Sequence, residues 1–141
     1  GEFQEMVENY GAETRIEKKL YQINENIYLS GQMGFQTPEQ SLIIQSEKGL
    51  IILSACSHPG IDRMVRDIAE AFEQNIFLVM GGFHLEEYYE EEIIDVIKTF
   101  RKYGVQKVIP GHCTGDRAKD LFREVYQSDF IESGTGMSLL F

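Results

Sequence analysis

The residues from Leu50 to Ile61 read LIILSACSHPGI and join three patterns within a short stretch. Leu50–Leu53 is an apolar strand pattern, Ser54–Gly60 is a loop that contains a histidine, and Ile61 is the first residue of a helical stripe. A short apolar run, a glycine-containing loop and an amphipathic helix in this order are typical of an α/β protein. The stretch therefore predicts a histidine at the point where a strand ends and a helix begins.

A β-hairpin is predicted immediately before that histidine. Ser41–Ser46 reads SLIIQS and is separated from Leu50 by the charged turn Glu47–Gly49. Two apolar runs joined by a short turn with glycine are typical of a hairpin.

After the hairpin, helical and strand patterns alternate along the chain. This order of elements predicts an α/β fold, a mixed sheet with helices packed on it. The predicted helices span 61–72, 89–100 and 118–125, and the predicted strands between them span 76–80 and 107–109.

The two ends of the chain carry weaker patterns. Residues 1–25 are polar, and we expect them to form a short helix or a loose lead-in to a single structural unit at 26–141. Within that unit we expect the tail, 130–141, to form one or two closing strands.

The charge of the chain excludes several classes of partner. The sequence has 23 acidic and 13 basic side chains, a formal net charge of −10. A nucleic-acid binder needs clustered Lys and Arg, and so does a protein that docks on an anionic membrane. We therefore expect no nucleic-acid partner and no membrane association. The start of the chain also lacks the features of a signal peptide, so we expect a cytoplasmic protein.

The histidines are the candidate functional residues. His58, His84 and His112 each follow the end of a predicted strand, in a loop with Gly or Pro that leads into a helix. Because the carboxyl ends of parallel strands share one edge of a sheet, we expect the three side chains to converge there. Neutral imidazole is a good ligand for zinc, iron or manganese, so a metal ion is the strongest explanation.

Other roles for these loops remain open. A single histidine is more often a satisfied polar group than a ligand, although three such loops would require a coincidence. Cys56, activated by an imidazole, would make a nucleophilic pair, but no orienting Asp or Asn is evident. Cys56 and Cys113 could also bind as thiolates, in a four-ligand zinc site with two of the histidines, or remain buried neighbours. Of the two, Cys113 is the less favoured ligand, because adjacent residues such as His112 and Cys113 seldom point at the same ion.

Glycines in the same loops predict a site for an anionic group. Backbone N–H groups before each helix point toward the shared edge, and glycine lets a phosphate or carboxylate come close to them. The loops match neither the nucleotide P-loop nor the dinucleotide fingerprint. We predict that a small anionic substrate contacts Gly81, Gly82, Thr114 and Gly115.

Three motifs, taken in order, resemble the metallo-β-lactamase superfamily. They are the hairpin and loop from Glu39 to Ile61, then Gly81–Leu85 (GGFHL), then Pro110–Gly115 (PGHCTG). The resemblance is to the branch of metal-dependent hydrolases related to the dihydropterin ribofuranosylaminobenzene phosphate synthases, and it covers residues 26–141.

That resemblance implies a four-layer αβ/βα sandwich that holds one or two divalent ions, usually zinc, with iron or manganese as alternatives. It implies that His58 and His112 are metal ligands and that His84 is either a ligand or a substrate contact. In such enzymes a metal-bound water attacks an ester, lactone or phosphate bond.

The chain departs from the superfamily pattern in one important respect. The His-x-His-x-Asp-His motif, which supplies most ligands in these enzymes, does not occur in the sequence. The chain therefore resembles the carboxyl-terminal half of the fold. We expect either a hydrolase completed by an amino-terminal half, from the same gene or a second chain, with this chain alone inactive, or a non-catalytic half-domain. The latter would self-associate or bind a partner through its exposed sheet face.

Overall fold

The computed structural model describes residues 2–140 as an α/β fold built on a six-stranded sheet. The helices are α1 (Glu2–Asn9), α2 (Ile61–Phe72), α3 (Glu90–Lys102) and α4 (Asp116–Tyr126). The strands are β1 (Tyr21–Asn24), β2 (Ile27–Leu29), β3 (Leu42–Ser46), β4 (Gly49–Ser54), β5 (Ile76–Gly82) and β6 (Lys107–Gly111). Among these helices, none combines the length and the apolar character that crossing a membrane requires.

The sheet is mixed, as the sequence predicts. Its strands lie in chain order, with β1 to β4 antiparallel and β4 to β6 parallel. The predicted hairpin is confirmed, since Leu42 of β3 pairs with Leu53 of β4. Helices α2 and α3 connect the parallel strands, so the carboxyl ends of β4, β5 and β6 meet at one edge of the sheet.

The main core lies between the sheet and the helices α2, α3 and α4. Helix α2 buries the stripe that its spacing predicts, including Ile61, Val65 and Ile68. At the centre of this core the rings of Phe83, Phe100 and Phe122 pack edge to face. Edge-to-face pairs contribute about 0.5–1.5 kcal/mol each beyond the burial of their area.

The amino-terminal residues contribute a strand to the sheet. β1 lies at the edge and pairs with β2, so the sheet begins within the stretch expected to be a polar lead-in. The sequence of β1 is YQIN, and its last three residues are exposed, which is why no alternation of apolar and polar residues marks it. Helix α1 has no buried residue.

The prediction of closing strands in the tail is wrong for the described residues 130–140. They contain a single bridge, between Phe130 and Val108, and no strand; Phe141 lies outside the described residues. β6 is an edge strand that contains Pro110, which has no N–H to donate to a further strand. The tail instead lies across the second face of the sheet, where Ile131 and Leu139 pack on a cluster that includes Ile51.

Candidate metal centre

The loops that follow β4, β5 and β6 bring the three histidines to one edge of the sheet. Of the three predicted to converge, His58 and His84 lie together, whereas His112 shares a set of donor atoms with them only through Cys56. The rings of His58 and His84 lie 4.4 Å apart between centroids. Donor atoms of Cys56, His58 and His84 lie within 4.8 Å of one another, and so do those of Cys56, His112 and Cys113. Cys56 is common to both sets, which makes its sulfur the centre of the cluster.

The backbone of these loops is held in an uncommon conformation. Ser57, His84 and His112 have positive φ angles of 70°, 52° and 46°. Among the non-glycine residues described, the other two with positive φ, Glu73 and Gln127, lie directly after helices, where a left-handed residue is common. Strained backbone concentrated at side chains that converge is a feature of functional sites.

Glu39 orients His58 from the connection between β2 and β3. Its carboxylate accepts hydrogen bonds from the backbone N–H groups of Ser57 (2.7 Å) and His58 (3.3 Å), and it contacts Nδ1 of the His58 ring. Burial raises the pKa of Glu39, but hydrogen bonds from the His58 ring and these two N–H groups outweigh it and leave the pKa lowered. With Nδ1 engaged, Nε2 is the nitrogen of His58 that is free to bind a metal.

Sequence reasoning did not assign a role to Glu39. The residue lies in the motif that carries the family resemblance, but its contact with His58 spans 19 positions of the chain. The signal that points to Glu39 is its position shortly before β3, because β3 pairs with β4 and the histidine loop follows β4.

Glu39→Gln is expected to weaken zinc binding by about 10–100-fold, the usual effect of losing a carboxylate that orients a ligating histidine. The measurement is a competition titration with a zinc indicator. Glu47→Gln, in the exposed turn between β3 and β4, is the matched control and should bind zinc as the parent chain does. Equal zinc affinity in both variants would contradict the role of Glu39.

The two cysteines lie in contact at the centre of the cluster. Their sulfur atoms are 2.7 Å apart, and the thiol of Cys113 also donates to the carbonyl of Cys56 at 3.4 Å. Burial, and then the hydrogen bond with Cys113, raises the pKa of Cys56 to about 12. The Cys56–imidazole nucleophile stays a prediction: Sγ of Cys56 lies 3.6 Å from Nδ1 of His84, whereas nucleophilic cysteines have lowered pKa values.

Cys113 is placed differently from what its position beside His112 predicts. Both residues contribute donor atoms to the same set, because the positive φ of His112 and the 3₁₀ turn His112–Thr114 redirect the chain there. Cys113 therefore meets the distance requirement for a ligand.

The glycines predicted to contact substrate are packed against other backbone. A Cβ on Gly81 would lie 2.0 Å from the carbonyl oxygen of Ser54, and one on Gly82 would lie 2.6 Å from that of Ala55. A Cβ on Gly115 would lie 2.7 Å from Cα of Glu86. These contacts explain the glycines by close packing, and their contact with a substrate stays a prediction.

Thr114 is engaged inside the protein. Its side chain is fully buried, donates to the carbonyl of Gly111 at 2.6 Å and accepts from the N–H of Phe83 at 3.2 Å. It therefore links the β5 and β6 loops, and its predicted contact with a substrate stays a prediction without support from this geometry.

A cavity of about 490 Å³ lies beside the cluster. Its volume falls within the range of small-molecule sites. Its lining consists of His58, His84, Pro59, Arg63 and the segment Gly34–Thr37. Two of the candidate ligands thus face a space large enough for a substrate.

The comparisons with known proteins agree with this fold. A solved structure titled Tm1679, a metal-dependent hydrolase of the β-lactamase superfamily, matches with a TM-score of 0.82 and 31% identity. The match covers 92% of this chain and 58% of that one. No protein-family model matches the chain.

The fold is therefore that of the metallo-β-lactamase superfamily, of which this chain carries a part. A curated relative places the resemblance more narrowly. It is the 7,8-dihydropterin-6-methyl-4-(β-D-ribofuranosyl)-aminobenzene-5'-phosphate synthase of Methanocaldococcus jannaschii, 43% identical over 104 residues. The resemblance to that branch, stated from the motifs, is confirmed. The aligned region is 73% of this chain but 35% of the relative, so the chain spans about a third of the curated protein it matches.

Proposed function

We propose that this chain contributes part of the metal centre of a metal-dependent hydrolase that acts on an ester, lactone or phosphate bond of a small anionic substrate. The observation that carries the proposal is the gathering of nitrogen and sulfur donors from three successive strand-end loops around Cys56. The similar solved structure is titled a metal-dependent hydrolase, and the curated relative is named a synthase of a 5'-phosphate compound.

The donor set fits a divalent transition metal. Imidazole and thiolate suit zinc or iron, whereas magnesium and calcium prefer oxygen ligands. Cys56, His58 and His84 would hold one ion, and Cys56, His112 and Cys113 would hold a second. We assign zinc as the metal, as one or two ions. When bound, such an ion supplies Lewis acidity and lowers the pKa of a coordinated water.

The chain's own residues orient the site. Glu39 holds the ring of His58 in one tautomer and leaves Nε2 facing away from the carboxylate. Phe83, buried in the aromatic cluster, fixes the backbone on which His84 sits. The cavity beside these two imidazoles receives the substrate, so His58 and His84 lie at its reacting end.

The proposal includes a partner for this chain. The His-x-His-x-Asp-His motif is absent from the sequence, and we infer that a complementary amino-terminal half, in the same gene or a second chain, supplies it. We propose the cytoplasm as the compartment, where a reducing environment would keep Cys56 and Cys113 available as thiols.

His112→Ala is expected to lower the zinc bound per chain, since it removes one donor from the set that contains Cys113 and leaves the set that contains His58 complete. Zinc content is measured after dialysis, in parallel with hydrolysis of phosphate monoesters, carboxylic esters and lactones by the complete protein. His112→Ala with unchanged zinc content would remove this residue from the site. A complete protein that binds no zinc would overturn the proposed function.

A second candidate function is favoured by the other face of the sheet. Ile44, Leu53 and Met80 are only partly buried there, although the tail covers their neighbours. A non-catalytic half-domain would use this face to pair with itself or with another protein. Sedimentation analysis with metal analysis separates the two functions: a metal-free homodimer indicates the half-domain, and a chain loaded with zinc indicates the hydrolase.

A further inference from the structure

Arg63 is the arginine without a partner in the part of the chain that the structure describes. The sequence contains six arginines. The other five bond to a carboxylate or, for Arg101, to the carbonyl of Val125. In a chain with a formal net charge of −10, nearby carboxylates are plentiful. Because the guanidinium of Arg63 pairs with none of them, it is available to bind a ligand.

Arg63 lines the cavity beside the candidate metal centre. It lies in the first turn of α2, directly after the histidine loop, and shares the cavity with His58 and His84. None of the residues that line this cavity is acidic. Carboxylates that precede or follow Arg63 are otherwise engaged: Asp62 lies close to Gly60, and Asp67 pairs with Arg66.

The helix that carries Arg63 adds to the positive character of the cavity. Helix α2 has 12 residues, and its N-cap Gly60 provides no side chain to bond the first N–H groups. These groups and the helix dipole favour an anion at this end. An oxyanion at Arg63 would meet the guanidinium fork in the bidentate geometry that phosphate and carboxylate prefer.

The lining of the cavity also includes an aromatic ring. Phe35 lines the cavity and is 99% exposed, so its ring is available to a ligand on nearly all of its surface. A planar aromatic group packed on this ring would remove apolar area from water, which favours its binding. The cavity therefore offers a ligand both a cation and an aromatic surface.

We propose that Arg63 binds the anionic group of a small aromatic phosphate or carboxylate whose ring packs on Phe35. The identification of this molecule as substrate rests on the proposed function; its binding does not. The anion is therefore proposed to bind at the first turn of α2 and not at the glycine loops, which pack against backbone.

The test measures binding of phenyl phosphate, benzoate and inorganic phosphate by chemical-shift titration of the ¹⁵N-labelled 141-residue chain, without and with zinc. Phenyl phosphate or benzoate, whichever binds more tightly, identifies the anion. Arg63→Gln is expected to weaken that ligand by about 10–100-fold, the range for a hydrogen bond to a charged group. Arg63→Lys should retain part of the affinity because it keeps the charge without the fork. Phe35→Ala should reduce the advantage of phenyl phosphate over inorganic phosphate.

Arg66→Gln is the matched control, since Arg66 lies one turn further along the same helix and pairs with Asp67. It changes the net charge equally and should leave binding unchanged. Equal affinities in the parent chain and Arg63→Gln, equal weakening by Arg66→Gln, or failure of both aromatic anions to bind would each overturn the inference. Zinc binding by the complete protein is measured separately. If the complete protein binds no zinc while the parent chain binds the anion, the proposed function fails and the role of Arg63 stands.

Discussion

Gly81→Ala is expected to unfold the chain or to cost more than about 4 kcal/mol of its stability. Gly81 has a φ of +127°, and a Cβ there would lie 2.0 Å from the carbonyl oxygen of Ser54. Ser54 and Gly81 are paired in the parallel ladder of β4 and β5, so the strands would have to separate to admit a methyl group. A small domain has only about 5–15 kcal/mol of stability in total. The measurement is urea unfolding followed by circular dichroism.

Substitutions at two other glycines distinguish the steric cause of that loss from the backbone-conformation cause. Gly134→Ala should be nearly neutral, because a Cβ on Gly134 would have no neighbouring atom within 4 Å and the φ of this residue is not positive. Gly11→Ala should cost about 1–2 kcal/mol, since its φ is +82° but its surroundings are open. A cost for Gly81→Ala no larger than that for Gly11→Ala would show that β4 and β5 are further apart than described.

Cys56→Ser is expected to weaken zinc binding more than the loss of any single histidine. Its sulfur belongs to both sets of donor atoms, whereas His84 belongs to one and His112 to the other. Structural zinc sites contribute about 10–16 kcal/mol over four ligands, so losing one thiolate corresponds to roughly 3 kcal/mol, or about 100-fold in affinity. Competition titration with a zinc indicator measures the change.

The comparison of variants makes that prediction specific. His84→Ala should impair one set and leave the other, so part of the zinc remains bound with nearly unchanged affinity. Ala55→Ser, on the exposed residue before Cys56, is the control for adding a hydroxyl beside the cluster. Zinc affinity of Cys56→Ser equal to that of Ala55→Ser would exclude the sulfur from the coordination sphere.

Much of the fold could be predicted because its apolar periods are strong. The stripe of α2 and the hairpin of β3 and β4 are buried patterns that local spacing alone reveals. β1 escaped prediction because an exposed edge strand needs no alternation. The tail was wrongly predicted as strands because Ile131 and Leu139 are apolar for packing on a sheet face rather than for pairing.

The candidate site was predictable to the extent that topology determines it. Parallel strands place their carboxyl ends together, so topology alone predicts that the three strand-end histidine loops lie at the same edge of the sheet. The contact between Glu39 and His58 depends on how a distant connection folds back, which no local pattern contains. The participation of Cys113 depends on the positive φ of His112, and spacing along the sequence does not reveal a backbone angle.

The aromatic cluster has a consequence for how this protein can change over time. Phe83 immediately precedes His84, and its ring packs against Phe100 of α3 and Phe122 of α4. Any repacking of those two helices during evolution or engineering is therefore transmitted to an imidazole at the metal centre. Substitutions that never touch the cavity would retune it, so a laboratory selection for altered reactivity should recover them at positions 100 and 122.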